Sequence, residues 1–133
     1  MRIARSLLDE IVAHALEDAP DECCGVIGTR DGEAVRVHRV RNAAASPLRF
    51  EMDPMEQYRA TMAIEDEGLE LGAMYHSHTR SAPRPSQTDV NLATRWWPDP
   101  VWVIVGVGDP QAPEVRAYAI RDGAFEEVPL EVV

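Results

Sequence analysis

The segment from Leu69 to Asp89 reads LELGAMYHSHTRSAPRPSQTD, and its amino-acid composition changes twice along its length. Its first part, Leu69–His78, is largely apolar and predicts a strand. A proline-containing loop, Thr79–Pro85, follows. The pattern Ser86-Gln87-Thr88-Asp89 is typical of a helix N-terminus, with a serine cap and an acidic residue three positions later. The segment therefore predicts a strand, a loop and a short helix that runs to about Ala93.

Two helices are predicted before this segment. Ser6 has the character of an N-cap for the first helix, which Pro20 ends. Asp53-Pro54 begins the second with an acidic cap and a proline in the first turn, and Gly68 closes it. The apolar positions expected to face the core are Leu7, Leu8, Ile11, Ala15 and Leu16 in the first helix, and Met55, Tyr58 and Met62 in the second.

Strands account for most of the remaining chain, and the run Val101–Val107 is apolar enough to be a central one. Asp31-Gly32 and Asp122-Gly123 each predict a hairpin turn. The fold class is therefore mixed α/β, with a mixed central sheet flanked by helices. The other expected strands are Arg2–Ala4, Cys23–Thr29 (buried), Ala34–Arg41 (half exposed), Arg49–Met52, Val115–Ile120 and Ala124–Val128.

Composition limits the possible functions. A chain of 133 residues with 45% hydrophobic residues fits one folded domain. Its net charge of −10 argues against binding to nucleic acid or to an anionic membrane surface. No apolar run reaches the ~20 residues that a membrane helix needs, and the N-terminus lacks a signal-peptide core. We therefore expect a cytoplasmic protein, and the adjacent pair Cys23-Cys24, which cannot build a disulfide framework, fits a reducing compartment.

His76 and His78 are the first candidate metal ligands. Side chains alternate along a strand, so these two imidazoles point to the same side. Zinc commonly takes such nitrogen ligands together with a carboxylate, and catalytic sites leave a fourth position for water. Asp89 lies in the first turn of the predicted helix, where backbone amides hold a carboxylate. Ser86, the cap, is expected to face the same point.

Each part alone has an ordinary structural explanation. An H-x-H pair is commonly two partly exposed strand histidines, and S-x-x-D is usually only a helix cap. The combination on strand, loop and helix favours a metal site. The remaining candidates are interpreted as structural: His14 in a helix, His38 on an edge-like strand, Cys23 and Cys24 as core thiols, and Trp96-Trp97 as packing residues.

His76-Ser77-His78, seven residues and Ser86-Gln87-Thr88-Asp89 together resemble the signature of the JAMM (MPN+) metallopeptidases. Glu22-Cys23-Cys24-Gly25 is similar to the family's upstream E-x-C-G segment. The resemblance covers nearly the whole chain and implies one MPN/JAMM domain over residues 1–133, with a cytidine-deaminase-like fold. It also implies that His76, His78 and Asp89 bind Zn²⁺, that Glu22 is the catalytic base, and that Ser86 stabilises the tetrahedral intermediate.

Within the family, Tyr75-His76-Ser77-His78-Thr79 and Arg121-Asp122-Gly123-Ala124 are similar to the small bacterial branch that hydrolyses sulfur-carrier–cysteine adducts. This resemblance implies a ubiquitin-like sulfur-carrier protein with a C-terminal Gly-Gly as partner, and release of a single amino acid such as cysteine. Arg80 and Arg84 lie in the loop beside the motif. We hypothesise that they clamp the carboxylate of the released amino acid, against the alternative of solvated loop arginines.

Three other functions stay open. The first is isopeptidase or deubiquitinase-like cleavage of other ubiquitin-like conjugates. The second is a non-catalytic scaffold of the same fold without metal. The third is the DNA-repair-associated branch that shares the motif, although its chains are longer and carry an added helical segment. The sequence does not determine the carrier, the released amino acid or the oligomeric state.

Overall fold

The computed structural model describes residues 1–96 and 100–133, without the side chains of residues 94–96. Within that part, three helices accompany one mixed sheet of eight strands. In chain order the elements are β1 (Arg2–Ile3), α1 (Arg5–Asp18), β2 (Cys24–Arg30), β3 (Glu33–Val40), α2 (Pro54–Asp66), β4 (Glu70–His78), α3 (Gln87–Trp96), β5 (Val101–Gly106), β6 (Glu114–Arg121), β7 (Ala124–Val128) and β8 (Glu131–Val132).

The sheet has the strand order β7-β6-β5-β4-β2-β3-β1-β8. Strand β4 is parallel to β5, and α3 makes the crossover that a parallel pair requires. Strand β1 is parallel to β3 and β8, and the remaining pairs are antiparallel. The edge strands β7 and β8 are separated in sequence by only Pro129 and Leu130, so the sheet curls until its two edges approach each other. This is the mixed α/β class that the sequence predicts.

Alternating side chains divide the core between the two faces of the sheet. On β4, Met74 belongs to a cluster that includes Ala60 and Ile64 of α2 and Val90 of α3. Its neighbour Tyr75 belongs to the opposite cluster, with residues of α1. His76 and His78 share the parity of Met74. They therefore face the side that α2 and α3 cover.

Both predicted hairpin turns are confirmed. Asp31 and Gly32 have φ values of 52° and 77°, and Asp122 and Gly123 have 53° and 76°. Positive φ at both central residues is the geometry of a type I′ turn, which fits the twist of the two strands it joins. The second helix also begins as predicted, because the Asp53 carboxylate accepts a hydrogen bond from the Glu56 N–H at 3.0 Å.

The first helix and one strand differ from expectation. Helix α1 begins at Arg5 with Ala4 at the N-cap position and without a side-chain cap, so Ser6 lies inside the helix. Leu16, expected in the core, is 39% exposed. Residues 49–51 are not a strand, because the segment contributes only an isolated bridge between Asn42 and Met52. Strand β3 is internal in the strand order, but β1 pairs with it only at Glu33, so in the described sheet it is edge-like at His38, as expected.

The buried face of α2 is also different. Met55, Tyr58 and Met62 are exposed by 57%, 63% and 38%, whereas Ala60 and Ile64 are buried. Two apolar stripes run along this helix, and helical periodicity alone does not say which of them meets the sheet. The interpretation of Trp96-Trp97 as packing residues falls on side chains outside the described part of the chain.

Gly25 supports the strand that carries the histidines. A Cβ at this position would lie 2.2 Å from the Tyr75 ring. Gly25 and Tyr75 are partners in the β2–β4 register, so the ring occupies the space that the missing side chain leaves. The Tyr75 hydroxyl pairs with Nδ1 of buried His14 at 2.7 Å, which ties α1 to β4.

We expect Gly25→Ala to lower the free energy of unfolding by about 1–3 kcal/mol, because the ring must move out of a packed position. Urea unfolding measures this change. Gly108→Ala is the matched control, since the nearest atom to its added Cβ is 3.8 Å away. Equal stability of the two variants would contradict the packing argument.

Candidate active site

The two histidines of the H-x-H motif are buried and converge. His76 is completely buried and His78 is 4% exposed. Their Nε2 atoms lie 3.2 Å apart. Phe50 stacks on the His76 ring at 4.5 Å between centroids, with an angle of 27° between the planes. Strand alternation therefore brings the imidazoles together as the sequence predicts, and packing holds the first of them.

Asp89 reaches the same point from α3. Its Oδ2 atom lies 3.1 Å from His76 Nε2 and 3.0 Å from His78 Nε2. The same oxygen accepts the Ser86 N–H at 2.9 Å, while the Asp89 N–H donates to Ser86 Oγ at 3.1 Å. This reciprocal pair is a capping box. The structure therefore brings His76, His78, Asp89 and Ser86 into one small volume.

The three donor atoms fit a metal ion. Two nitrogens and one oxygen lie 3.0–3.2 Å apart in every pairing. Ligands at 2.0–2.1 Å from a tetrahedral zinc ion are separated by ~3.3 Å, so these distances are close to three corners of such a site. Among the described residues, His76, His78 and Asp89 are also the group whose ligand atoms could hold a metal.

The tautomer of His78 supports the same assignment. Its Nδ1 lies 2.9 Å from the Ala82 carbonyl oxygen, which can only accept a hydrogen bond. Nδ1 therefore carries a proton, and Nε2, which points toward Asp89 and His76, is the nitrogen that can bind a metal once it has lost its own proton. Fixing a ligand imidazole through its second nitrogen is the usual arrangement at protein metal sites.

Electrostatics keep Asp89 ionised. Burial by itself would raise the pKa of this carboxyl, but the imidazoles of His76 and His78 and the Ser86 N–H outweigh it and lower the pKa far below its ordinary value. Burial likewise would lower the pKa of His78, yet the hydrogen bonds to Asp89 and Ala82 raise it. The cluster therefore presents a carboxylate to any bound cation.

Glu22 lies against this cluster. In the β2–β4 register Cys24 pairs with His76, and Ser77 N–H donates to the Cys23 carbonyl at 3.1 Å. Continuing that register places Glu22 opposite His78. The side chain is 5% exposed, and its Oε1 atom is buried without a hydrogen-bond partner among the described residues. Burial raises the pKa of Glu22 to about 7, with the charge of His78 lowering it and that of Asp89 raising it further.

Ser77 is a site residue that the sequence reasoning did not select. Its Oγ accepts the Cys23 N–H at 2.8 Å, and it is completely buried on the face opposite the histidines. The bond attaches the residue after Glu22 to the residue between His76 and His78. A hydroxyl inside a predicted, largely apolar strand was the available signal, because a buried polar group requires a partner.

The loop between His78 and Ser86 is held at its centre. Pro83 packs against Gly106, where an added Cβ would lie 2.9 Å from the proline ring, and Tyr118 donates its hydroxyl to the Pro83 carbonyl at 2.9 Å. Arg84 lies over the Phe125 ring at 5.8 Å, on the β7 side, and Arg80 is exposed. Arg80 and Arg84 thus belong to the loop that joins the two parts of the motif, and the guanidinium of Arg84 lies over Phe125.

Comparison with known proteins identifies the family. The family described as prokaryotic homologs of the JAB domain matches residues 4–121, most of the chain. The chain belongs to this family. It is a JAMM-type hydrolase, and the structure of its JAMM domain explains how the motif residues meet.

Three named relatives are similar over much of their length. The CysO-cysteine peptidase of Mycobacterium tuberculosis is 41% identical over 98% of this chain and 90% of the relative. A Thermus thermophilus protein named as a probable TtuB-protein conjugate cleaving protease is 38% identical over 98% of this chain and 82% of the relative. The desampylase of Haloferax volcanii is 40% identical over 78% of each chain.

Solved structures agree with the fold. A protein from Desulfitobacterium hafniense superposes with a TM-score of 0.89 at 30% identity, covering 99% of this chain and 92% of that one. A second structure, described as a JAMM metalloprotease-like zinc site in the proteasome and signalosome, has a TM-score of 0.63 at 26% identity, covering 100% of this chain and 97% of that one.

Over residues 1–96 and 100–133, no helix has both the length and the apolar character to cross a membrane.

Elemental analysis tests the metal site. We expect about one zinc per chain in protein purified without added metal, and loss of that zinc in His78→Ala, because two ligands hold the ion far more weakly than three. His38→Ala is the control, since this histidine lies on β3 outside the cluster. Wild-type protein that neither contains zinc nor takes it up would contradict the assignment.

The raised pKa of Glu22 predicts a pH-dependent stability in chelator-treated protein. A carboxyl whose pKa is about 7 when folded and 4.5 when unfolded costs stability as pH rises between these values. We expect Glu22→Gln to be more stable than wild type at pH 8 by up to about 3 kcal/mol, and the difference to vanish toward pH 4.5.

Urea unfolding at several pH values measures this difference. Glu10→Gln, an exposed change on α1, is expected to give a pH-independent offset. An offset for Glu22→Gln that does not depend on pH would show that the carboxyl is well solvated.

Proposed function

We propose that this JAMM-type hydrolase binds zinc through His76, His78 and Asp89 and cleaves an amide bond at the C-terminus of a ubiquitin-like sulfur-carrier protein. The released product is a single amino acid such as cysteine. The observation that carries the proposal is the triangle of two imidazole nitrogens and one carboxylate oxygen with an unpaired buried carboxylate, Glu22, beside it. Residues 1–133 act as one cytoplasmic catalytic unit.

The residues of the site divide the chemistry among themselves. When bound, zinc would supply Lewis acidity, which lowers the pKa of a water toward neutral pH and polarises a carbonyl. Glu22 Oε1 accepts the proton of the attacking water and passes it to the leaving amine. A base with a pKa near 7 suits both transfers, because it is readily deprotonated and reprotonated at neutral pH.

Ser86 stabilises the developing oxyanion in this proposal. Its Oγ serves as an acceptor for the Asp89 N–H, so its hydroxyl proton is available to a second partner. The capping box fixes the position of this hydroxyl relative to the metal ligand in the same turn. Preorganised donors of this kind contribute because they need no rearrangement during the reaction.

The substrate assignment rests on the relatives and on charge. The mycobacterial relative is named for a carrier–cysteine adduct, and it aligns over nearly all of this chain. We therefore propose a carrier with a C-terminal Gly-Gly, whose narrow tail can enter a site made of buried groups. The net charge of −10 favours a partner with basic or mixed surface charge, since complementary charge raises encounter rates.

Cleavage of larger conjugates is the second candidate. The Haloferax and Thermus relatives are named for removing protein conjugates. An isopeptidase must accept a protein on both sides of the scissile bond, whereas an adduct hydrolase accepts only one amino acid on the leaving side. Assaying a carrier–cysteine adduct and a carrier–lysine isopeptide in parallel separates the two.

We expect wild-type protein to release cysteine from a purified carrier–cysteine adduct. Glu22→Gln is expected to lower kcat by about 10²-fold or more and to retain zinc, because the proton acceptor is lost while the metal ligands stay. Ser86→Ala is expected to lower kcat by about 10²–10³-fold through loss of the oxyanion donor. Mass spectrometry of the carrier measures cleavage, and Glu10→Gln is the matched control. A zinc-loaded wild type that cleaves neither substrate would overturn the proposed function.

Arg80 and Arg84 are proposed to hold the carboxylate of the released amino acid. Arg80→Ala or Arg84→Ala is then expected to raise KM for the adduct several-fold while zinc content and kcat are kept, because a charge-assisted contact to the leaving group is lost. Steady-state kinetics measures the effect. Unchanged KM in both variants would remove the loop arginines from the site.

A further inference from the structure

Asn42 is a buried amide that uses its full hydrogen-bonding capacity. It follows β3 and is 8% exposed. Its Nδ2 donates to the carbonyls of Glu22 at 3.0 Å and Arg49 at 3.1 Å. Its Oδ1 accepts the N–H groups of Ala44 at 3.0 Å and Glu51 at 2.9 Å. Two donors and two acceptor positions are all that an asparagine side chain has, so every one is satisfied.

These bonds organise one connection, residues 42–52, which we name the Asn42 loop. Besides the side-chain bonds of Asn42, the Ala43 N–H donates to the Glu51 carbonyl at 2.7 Å, which closes the loop on itself. The loop has no regular strand. The Ala43–Glu51 bond and the Asp53 N–H, which donates to the Arg41 carbonyl at 2.9 Å, together form the isolated bridge between Asn42 and Met52. The side-chain amide of Asn42 therefore supplies several of the hydrogen bonds that fix the backbone of this loop, as backbone hydrogen bonds fix the strands of the sheet.

The Asn42 loop holds the backbone of Glu22 on both sides. The Glu22 N–H donates to the Ser46 carbonyl at 2.9 Å, and the Glu22 carbonyl accepts from Asn42. Strand β2 begins at Cys24, so Glu22 lies before the regular pairing of β2 with β4. The position of the Glu22 side chain against His78 thus depends on bonds to the loop.

The same loop also touches the ligand set. Phe50, 6% exposed, stacks on the ring of His76, and its backbone lies between Arg49 and Glu51, the two residues that Asn42 binds. The loop therefore meets Glu22 at one end and a candidate zinc ligand at the other.

We propose that Asn42 is a positioning residue for hydrolysis, which acts through Glu22 by holding its backbone at the distance from the ligand set that proton transfer requires. This inference rests on the proposed role of Glu22 as the base. Because backbone groups occupy all four hydrogen-bonding positions of the Asn42 side chain, its effect on the reaction passes through Glu22. A misplacement of a reacting group by about 1 Å can cost about 10²-fold in rate, so loss of the bond that holds the Glu22 carbonyl has a kinetic consequence beyond stability.

The decisive variant is Asn42→Ala, with Asn91→Ala as the matched control, because Asn91 is an exposed asparagine on α3. At a temperature where both variants are folded, we expect Asn42→Ala to lower kcat at least tenfold with KM within about threefold and zinc content unchanged. Asn91→Ala is expected to match wild type. Wild-type kcat in folded Asn42→Ala would overturn the inference.

A double-mutant cycle separates positioning from general destabilisation. If Asn42 acts through Glu22, Asn42→Ala is expected to have little further effect on the residual single-turnover rate of Glu22→Gln. A structural role would lower both backgrounds by the same factor, and that additive result would refute the proposal. Should Asn42→Ala not fold, Asn42→Ser keeps a side-chain oxygen for the Ala44 N–H but lacks the amide that donates to the Glu22 and Arg49 carbonyls, and the same loss of kcat is expected.

Amide hydrogen exchange gives a readout that does not depend on the substrate. Loss of Asn42 is expected to reduce protection of the Glu22 amide, bonded to Ser46, at least tenfold, while the Cys23 amide, bonded to Ser77, stays protected. Unchanged protection of Glu22 would overturn the inference whatever the activity. A wild type that cleaves no carrier adduct would instead refute the proposed function, and the exchange data would still decide whether Asn42 holds Glu22.

Discussion

One carboxylate oxygen connects the parts of this protein that matter for function. Asp89 Oδ2 lies 3.0 and 3.1 Å from the two histidine nitrogens and accepts the Ser86 N–H at 2.9 Å. It therefore joins strand β4 to the N-terminus of α3 and sets the position of the serine hydroxyl at the same time. The crossover from β4 through α3 to the parallel strand β5 places helix and strand so that a single oxygen can serve both.

Strand β4, which carries His76 and His78, is supported on both faces of the sheet. On the face away from the site, Tyr75 fills the space beside Gly25 and binds His14, and Ser77 binds the Cys23 N–H. On the face of the site, Phe50 covers His76. Both faces of β4 are thus packed, and the two histidines stand on a rigid base of the kind that precise metal coordination needs.

Much of this arrangement could be predicted, because it depends on local backbone geometry. The shared face of His76 and His78 follows from strand alternation, and the cap at Ser86 follows from a four-residue pattern. The errors arose where local pattern was ambiguous. Ser6 has the chemistry of a cap but lies inside α1, and the stripe of Met55, Tyr58 and Met62 is apolar yet faces outward.

The sequence by itself determined the class of fold, the two turns with positive φ, the pairing of the histidines and the capping box, since each is encoded within a few neighbouring residues. Only the tertiary structure decided that Glu22 lies opposite His78, that Asn42 holds it there, and that β8 returns beside β1 to curl the sheet. Those contacts join distant residues through strand register and buried hydrogen bonds, and a local pattern specifies pairing only for strands that a hairpin turn connects.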